Sequence, residues 1–229
     1  MNSAPTWAGV GNVVAAAALA VLFYSYLGYP LLLGAFAALR RRREPAPVAA
    51  ADLPAVTVVI PCYNEAEHVA AKIANLRAAD YPPGKIEIVV VSDGSGDRTV
   101  DVARATTGVR VVSWLERRGK AAALNAGLRA AHGDVLVLTD ANARLEAGAL
   151  RALVTPFADP NVGAVCGEQV IGAGAAGERF YWRYEAYLKR REAALGSVVG
   201  ADGSLYAVRR ELFRPLPEDR LIMDDFFVS

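Results

Sequence analysis

Hydrophobic and polar positions divide the chain into two regimes. From Val13 to Leu39 no charged residue occurs, and Ala, Val, Leu, Phe and Tyr dominate, interrupted by Ser25, Gly28 and Pro30. As a helix rising about 1.5 Å per residue, this run reaches roughly 40 Å, enough to cross a bilayer core with tilt. A cleaved signal peptide would place its basic residues first and carry a shorter apolar region. Here the cluster Arg40 to Arg43 comes after the run. A buried core helix would seldom lack every charge over such a length. The pattern therefore predicts a single transmembrane helix within an anchor over residues 1–43. The positive-inside rule puts the following residues in the cytoplasm, on the inner side of the cell membrane. Tyr24, Tyr26, Tyr29 and Pro30 fall inside the run rather than at its ends, where they mark either a helix-packing face or a kink.

Residues 44–54 are rich in Pro and Ala without apolar periodicity and read as a linker. Beyond it, short β-branched apolar runs alternate with helical spacing. Strands are predicted over 56–60, 86–91, 109–112, 135–139 and 162–166. Helices are predicted from a capping box at Asn64 and Glu67, from Asp97 through Ala105, and over 120–131, 146–157 and 178–194. Strands that are apolar throughout and separated by helices imply an α/β fold with a mostly parallel sheet covered on both faces. In such sheets the ligand crevice lies beyond the carboxyl ends of the strands.

Composition narrows the class. The 229 residues carry 25 Lys plus Arg against 24 Asp plus Glu, a net charge of +1, with 54% hydrophobic and 21% charged residues. That balance excludes intrinsic disorder and disulfide-stapled folds, and gives no basis for nucleic acid as a partner. Cys62 and Cys166 are far apart and show no zinc spacing, so both read as reduced thiols.

The candidate chemistry sits where strands end. Polar residues follow three apolar runs: Pro61-Cys-Tyr-Asn-Glu65, Ser92-Asp-Gly-Ser-Gly-Asp97 and Asp140-Ala-Asn142. Asp93 is followed by Gly94 and Gly96, which let backbone approach a ligand closely, although a turn at Asp93 and a helix cap at Asp97 explain the same residues. Asp140 follows a fully apolar strand, where a carboxylate needs a partner and a bound cation is one answer. With Asn142 beside it, the oxygen pair suits Mg²⁺ or Mn²⁺ holding a diphosphate better than zinc; a plain capped turn is the competing reading. Gly119-Lys120 opens a helix in a manner that suits an anion. Neither a Walker A loop nor Gly-x-Gly-x-x-Gly is present. His68 and His132 have no nucleophile pattern nearby and read as surface or capping residues.

The ordered set formed by these motifs, Gly119-Lys120 through Asn125, Gly200-Ala-Asp-Gly-Ser-Leu-Tyr-Ala-Val-Arg209 and Asp224-Asp225 resembles the family 2 glycosyltransferases of GT-A fold. The likeness is greatest to membrane-anchored processive members such as cellulose, chitin, hyaluronan and poly-N-acetylglucosamine synthases. It covers residues 55–226 and implies a Rossmann-like GT-A domain over 55–229. It also implies a UDP-sugar donor, a saccharide or lipid-linked acceptor, and Mg²⁺ or Mn²⁺. By this resemblance Tyr63 is a substrate-binding position, Glu65 and Asp93 contact the uridine, and Lys120 lies near the nucleotide and diphosphate. Asp140 with Asn142 stands where the family's Asp-x-Asp binds metal diphosphate, and Asp225 is the base.

The chain departs from the family pattern in two places. Asn142 replaces a carboxylate, and no Gln-x-x-Arg-Trp follows Asp225, since the tryptophans are Trp7, Trp114 and Trp182. The resemblance therefore implies a domain incomplete at its C-terminus. The implied reaction is a single displacement that inverts an α-linked donor to a β-glycoside, in polysaccharide or glycolipid synthesis. Two readings compete with it: a nucleotidyltransferase, and a catalytically inactive membrane-tethered protein that binds nucleotide sugars. Tyr181, Trp182, Tyr184 and Tyr187 form either a sugar-stacking face or packing against core or membrane interface.

Overall fold

The fold follows from strands whose side chains are buried on both faces. The computed structural model describes residues 7–40, 48–168, 176–198, 200 and 203–218. They separate into two compact units, residues 1–43 with 173–198, and residues 44–172 with 199–229.

In the larger unit β1 (Val56–Cys62), β2 (Ile86–Asp93), β3 (Val109–Trp114), β4 (Val135–Thr139), β5 (Ala164–Cys166) and β6 (Leu205–Arg209) form one sheet in the order β3-β2-β1-β4-β6-β5. β1 pairs in parallel with β2 and β4, and β2 in parallel with β3. β6 runs antiparallel to both β4 and β5. Parallel strands need long crossovers, and α3 (Val69–Arg77), α4 (Thr99–Arg104), α5 (Lys120–Ala130) and α6 (Ala149–Val154) supply them.

Alternate residues of each strand feed two cores. Val58, Ile60, Val90 and Val137 join Val69, Ile73, Leu76, Leu150 and Leu153 on one side. Val59, Val89, Val91, Leu136 and Leu138 join Ala123, Leu124 and Tyr206 on the other. Because both faces are covered, the strands read as continuous apolar runs instead of alternating ones.

The predicted parallel α/β sheet is present, with differences at its edges. The strand Leu205–Arg209 was not expected, because it lies inside a Gly-rich motif, yet it pairs with β4 over five residues. The predicted strand 162–166 shortens to β5, and the helix 146–157 shortens to α6 followed by a 3₁₀ turn, Thr155–Ala158. The capping box at Asn64 does not form. Asn64 has φ 55°, its side-chain oxygen accepts from the Gly96 amide at 2.9 Å, and α3 begins only at Val69.

In the smaller unit α1 (Trp7–Phe23), a π-helical turn (Tyr24–Gly28) and α2 (Tyr29–Leu39) form a single apolar rod. Gly9–Leu39 is long and apolar enough to cross a membrane by length and composition, and its most apolar window is unburied, unlike a core helix. α7 (Ala176–Leu195) packs on α2 within this unit, whereas the sequence had assigned it to the sheet domain. Pro30, Leu33 and Ala37 are buried on α2, so Tyr29 and Pro30 mark a packing face.

α5 lies on β1 through small residues. A Cβ added at Gly127 would stand 2.2 Å from Val59 Cγ1. Gly127→Ala gains about 1 kcal/mol of helix propensity, but overpacking a tight core costs about 1–3 kcal/mol. The urea midpoint of the purified chain is expected to fall; an unchanged or raised midpoint would show that α5 can move off β1.

Candidate active site

The exits of β1, β2 and β4 lie at the same end of the sheet, because these strands are mutually parallel and in register, with Cys62 opposite Ser92 and Val59 opposite Leu138. The polar motifs of all three strands therefore converge on one edge.

The loops after β1 and β2 are stitched together. Besides the Asn64 to Gly96 bond, the Glu65 amide donates to Thr99 Oγ1 at 2.8 Å and the Ala66 amide to Asp97 Oδ2 at 3.1 Å. Asp97 also accepts from the Thr99 amide at 3.0 Å and from its hydroxyl, so it holds the first residue of α4 from one position before the N-cap, which is Arg98 and not Asp97. Although slight burial opposes it, these donors hold the Asp97 carboxyl below the usual carboxylate range. Glu65 is half-buried, and Tyr63 is 42% exposed with the Arg117 guanidinium 4.1 Å from its ring centroid.

Asp93 is 4% exposed at the end of β2. Its carboxylate accepts from Trp114 Nε1 at 2.8 Å, the Arg118 amide at 2.7 Å and the Gly119 amide at 2.8 Å. The sequence singled out Asp93 and missed these partners. Gly94, at φ 68°, makes room for protein backbone in this structure: a Cβ there would meet the Arg117 nitrogen at 2.6 Å. The loop so held delivers Gly119, at φ 94°, and then Lys120 at the start of α5.

Lys120 Nζ stands 3.3 Å from Asp140 Oδ1, so two of the predicted site residues meet. Both side chains are about two-fifths exposed, and such a pair is worth only about 0–1 kcal/mol, little enough for a ligand to rearrange it. Asn142 is exposed on the same turn. Asp225 lies outside the described residues. Among the described residues no cluster of three or more His, Cys, Asp or Glu side chains gathers around a metal position. Asp140 and Asn142 nevertheless supply two oxygen donors at an open edge, which fits a Mg²⁺ or Mn²⁺ ion completing its shell with diphosphate and water.

Lys72 escaped the sequence reading, although it shares the helical face of Val69, Ile73 and Leu76. It is 2% exposed, and its ammonium donates to Thr139 Oγ1 at 2.8 Å and to the Ala143 carbonyl at 2.6 Å. These two acceptors bracket the Asp140-Ala-Asn142 turn, so a buried cation holds the turn from beneath. Burial pushes Lys72 down to about 8, with Asp140 opposing the shift. Cys62, at the end of β1, is pushed up to about 12 by burial and then by Glu65, Asp140 and Asp97, which agrees with an inert thiol. Away from the edge, His132 Nδ1 lies 2.8 Å from Glu87 Oε1 and plays a surface role, as expected.

The mostly parallel sheet with its polar motifs at the carboxyl ends of the strands is a fold of GT-A type. The sequence profile of glycosyl transferase family 2 matches residues 57–216, and the chain belongs to that family. An N-acetylglucosaminyltransferase of Bradyrhizobium elkanii is 31% identical over 124 residues, covering 52% of this chain and 68% of the relative. The poly-beta-1,6-N-acetyl-D-glucosamine synthase of Staphylococcus aureus strain COL is 33% identical over 124 residues, and the match spans 30% of that longer protein. Among solved structures, a mannosyltransferase from Pyrobaculum calidifontis in complex with GDP-Man and Mn²⁺ aligns with TM-score 0.71 and 35% identity, over 87% of this chain and 58% of that one. TarS of S. aureus shares the fold at TM-score 0.56 and 17% identity, over 76% of this chain and 53% of that one.

Lys72 carries a prediction. Unfolded lysine titrates near 10.4 and Lys72 in the fold near 8. Between these values the unfolded chain binds the extra proton, so this group makes stability rise with pH across the window. Urea midpoints compared at pH 8 and pH 10 are expected to rise more for the native chain than for Lys72→Met; equal slopes would mean that Lys72 titrates as in water.

Proposed function

We propose that this chain moves a sugar from a UDP-sugar to an acceptor hydroxyl with inversion, forming a β-glycoside in polysaccharide or glycolipid synthesis. The observation that carries the reading is the meeting of Lys120 and Asp140 at an edge shared with Tyr63, Glu65 and Asp93. Tyr63, Glu65 and Asp93 take the uridine end of the donor, and Lys120 takes the diphosphate. Asp140 and Asn142 would hold Mg²⁺ or Mn²⁺, which when bound offsets the charge gathering on the departing diphosphate. Membership of glycosyl transferase family 2 and the Mn²⁺ in the related mannosyltransferase support a divalent cation.

In the transfer step the acceptor oxygen forms a bond to the anomeric carbon, the bond from that carbon to the diphosphate oxygen breaks, and UDP leaves with the electron pair. Asp225 accepts the acceptor's proton. The acceptor is a saccharide or a lipid-linked sugar. The apolar helix Gly9–Leu39 anchors the protein in the cell's inner membrane, with the catalytic domain cytoplasmic in line with Arg40 to Arg43.

The donor is tested by turnover of UDP-N-acetylglucosamine, UDP-glucose and GDP-mannose with Mn²⁺ or Mg²⁺, the last because of the mannosyltransferase likeness. Release of UDP above that of GDP supports the proposal, and GDP-mannose preference overturns the uridine assignment. Asp140→Ala is expected to weaken metal-dependent UDP binding in calorimetry by roughly 10- to 150-fold, the loss of one charge-assisted contact. Unchanged, metal-independent affinity would remove Asp140 from the metal.

Asp225→Asn keeps its shape but cannot take a proton, so transfer is expected to fall by at least about 10²-fold with donor affinity intact. Asp224→Asn is expected to lose far less. Equal losses in the two variants would make the pair a structural element.

A further inference from the structure

The smaller unit contains a mismatch between length and charge. Gly9–Leu39 spans 31 residues, about 46 Å of helix against a hydrocarbon core of about 30 Å. Fitting all of it inside the core would need a tilt of about 50°, beyond the usual range of up to about 40°. α7 packs on the second part of this rod, and its sequence contains five Lys or Arg and three Glu. Charged side chains are strongly disfavoured at the middle of a membrane helix. If α2 lay in hydrocarbon, its partner would be drawn in with it.

The contacts show where the change comes. The Tyr184 hydroxyl of α7 lies 3.4 Å from both the Ser25 and the Tyr26 carbonyls, on the π-helical turn. Tyr29 donates its hydroxyl to Glu192 Oε1 at 2.8 Å, and Arg40 Nη1 donates to the Leu195 carbonyl at 2.6 Å, at the C-terminal end of α7. Position 34 is glycine where the helices touch, since a Cβ there would lie 2.8 Å from the Tyr187 hydroxyl. Tyr24, Tyr26 and Tyr29 stand 17 to 22 positions after Trp7, about 26–33 Å along a helix, the separation of the two aromatic belts of a bilayer.

α2 has no charged residue, so it presents no polar side of its own. Leu31, Leu32, Phe36 and Leu39 are exposed on one face, while Pro30, Leu33 and Ala37 are buried. α7 supplies charge, and beside it the exposed aromatics Phe180, Tyr181 and Tyr187, with the Arg191 guanidinium 5.2 Å from the Tyr187 ring centroid. Basic and aromatic residues together are what an anionic headgroup layer binds.

We propose that the hydrocarbon core ends at the tyrosine-bearing π-turn, and that α2 and α7 form a helix pair seated on an anionic membrane interface, with the exposed leucines and phenylalanine of α2 toward acyl chains. The inference rests on the membrane-anchor reading of Gly9–Leu39 and adds where the membrane stops and what α7 binds. In this reading the aromatics of α7 face lipid headgroups and do not stack on sugar.

The test uses the full chain with Trp7→Phe and Trp114→Phe, which leaves Trp182 as the fluorophore, reconstituted in phosphatidylglycerol vesicles carrying brominated lipid. The largest loss of Trp182 emission is expected with bromine near the headgroup, a smaller loss with bromine near the chain ends, and less quenching overall when phosphatidylcholine replaces the anionic lipid. Strongest quenching by deep bromine would place the pair inside the core, and no quenching in a vesicle-bound chain would place α7 in water; either overturns the proposal. A chain that does not float with vesicles at all would instead refute the anchor. As a second measurement that spares the tryptophans, Arg190→Cys on the charged helix α7, in a Cys166→Ser background, is expected to react with a membrane-impermeant maleimide added to inside-out vesicles far faster than Val14→Cys, and equal protection of both would also overturn the proposal.

Discussion

Asp93 brings a carboxylate to the buried end of a strand, and a charge in that position must be answered by donors. Trp114, Arg118 and Gly119 answer it, two of them through the backbone. Each charge-assisted bond is worth roughly 1.5–3 kcal/mol, so the segment from Trp114 to Gly119 cannot drift. Because α5 starts at the next residue, the same bonds decide where Lys120 begins, and hence that its ammonium reaches Asp140. Gly94 belongs to this arrangement, since any side chain there would strike the Arg117 backbone.

A second cation works from below. Lys72 is held in the core by the Thr139 hydroxyl and the Ala143 carbonyl, and its charge is close enough to interact with Asp140. Thr139 passes the link on by donating to the Ser204 carbonyl at 2.9 Å, which ties the turn to the segment entering β6. The turn after β4 thus has a rigid buried support and an exposed, weakly paired surface. That combination suits a site that must hold a fixed shape and still exchange a charged ligand. Asn125 extends the support on the other side of the sheet: its side chain both donates to the Leu216 carbonyl at 2.9 Å and accepts from the Leu216 amide at 2.7 Å.

The two units solve different solvent problems. The sheet unit buries apolar strands under helices on both faces, and its polar residues gather at one edge. The smaller unit exposes most of its apolar surface, and where its helices do pair, the contacts are tyrosine hydroxyls and an arginine meeting backbone carbonyls and a carboxylate. Such contacts belong where water is scarce without being absent.

The sequence alone determined the strands 56–60, 86–91 and 135–139, because a strand buried on both faces leaves an unbroken apolar run, and it marked the uncharged run from Val13 to Leu39 that folds as one apolar rod. It also marked Asp93 and Asp140 as candidates, since a carboxylate at the end of such a run needs a partner, although a turn offered a competing explanation for each. Tertiary structure decided the rest. The partners of Asp93 lie 21 to 26 residues away and those of Lys72 lie 67 and 71 residues away. β6 exists because β4 offers it an antiparallel edge, not because Leu205–Arg209 announces a strand. Asn64 looked like a helix cap and became a clasp on Gly96, since the loop after β2 was near enough to compete for its side chain. Local patterning records which face of an element is dry; which distant group answers a buried charge is settled only when the chain has folded.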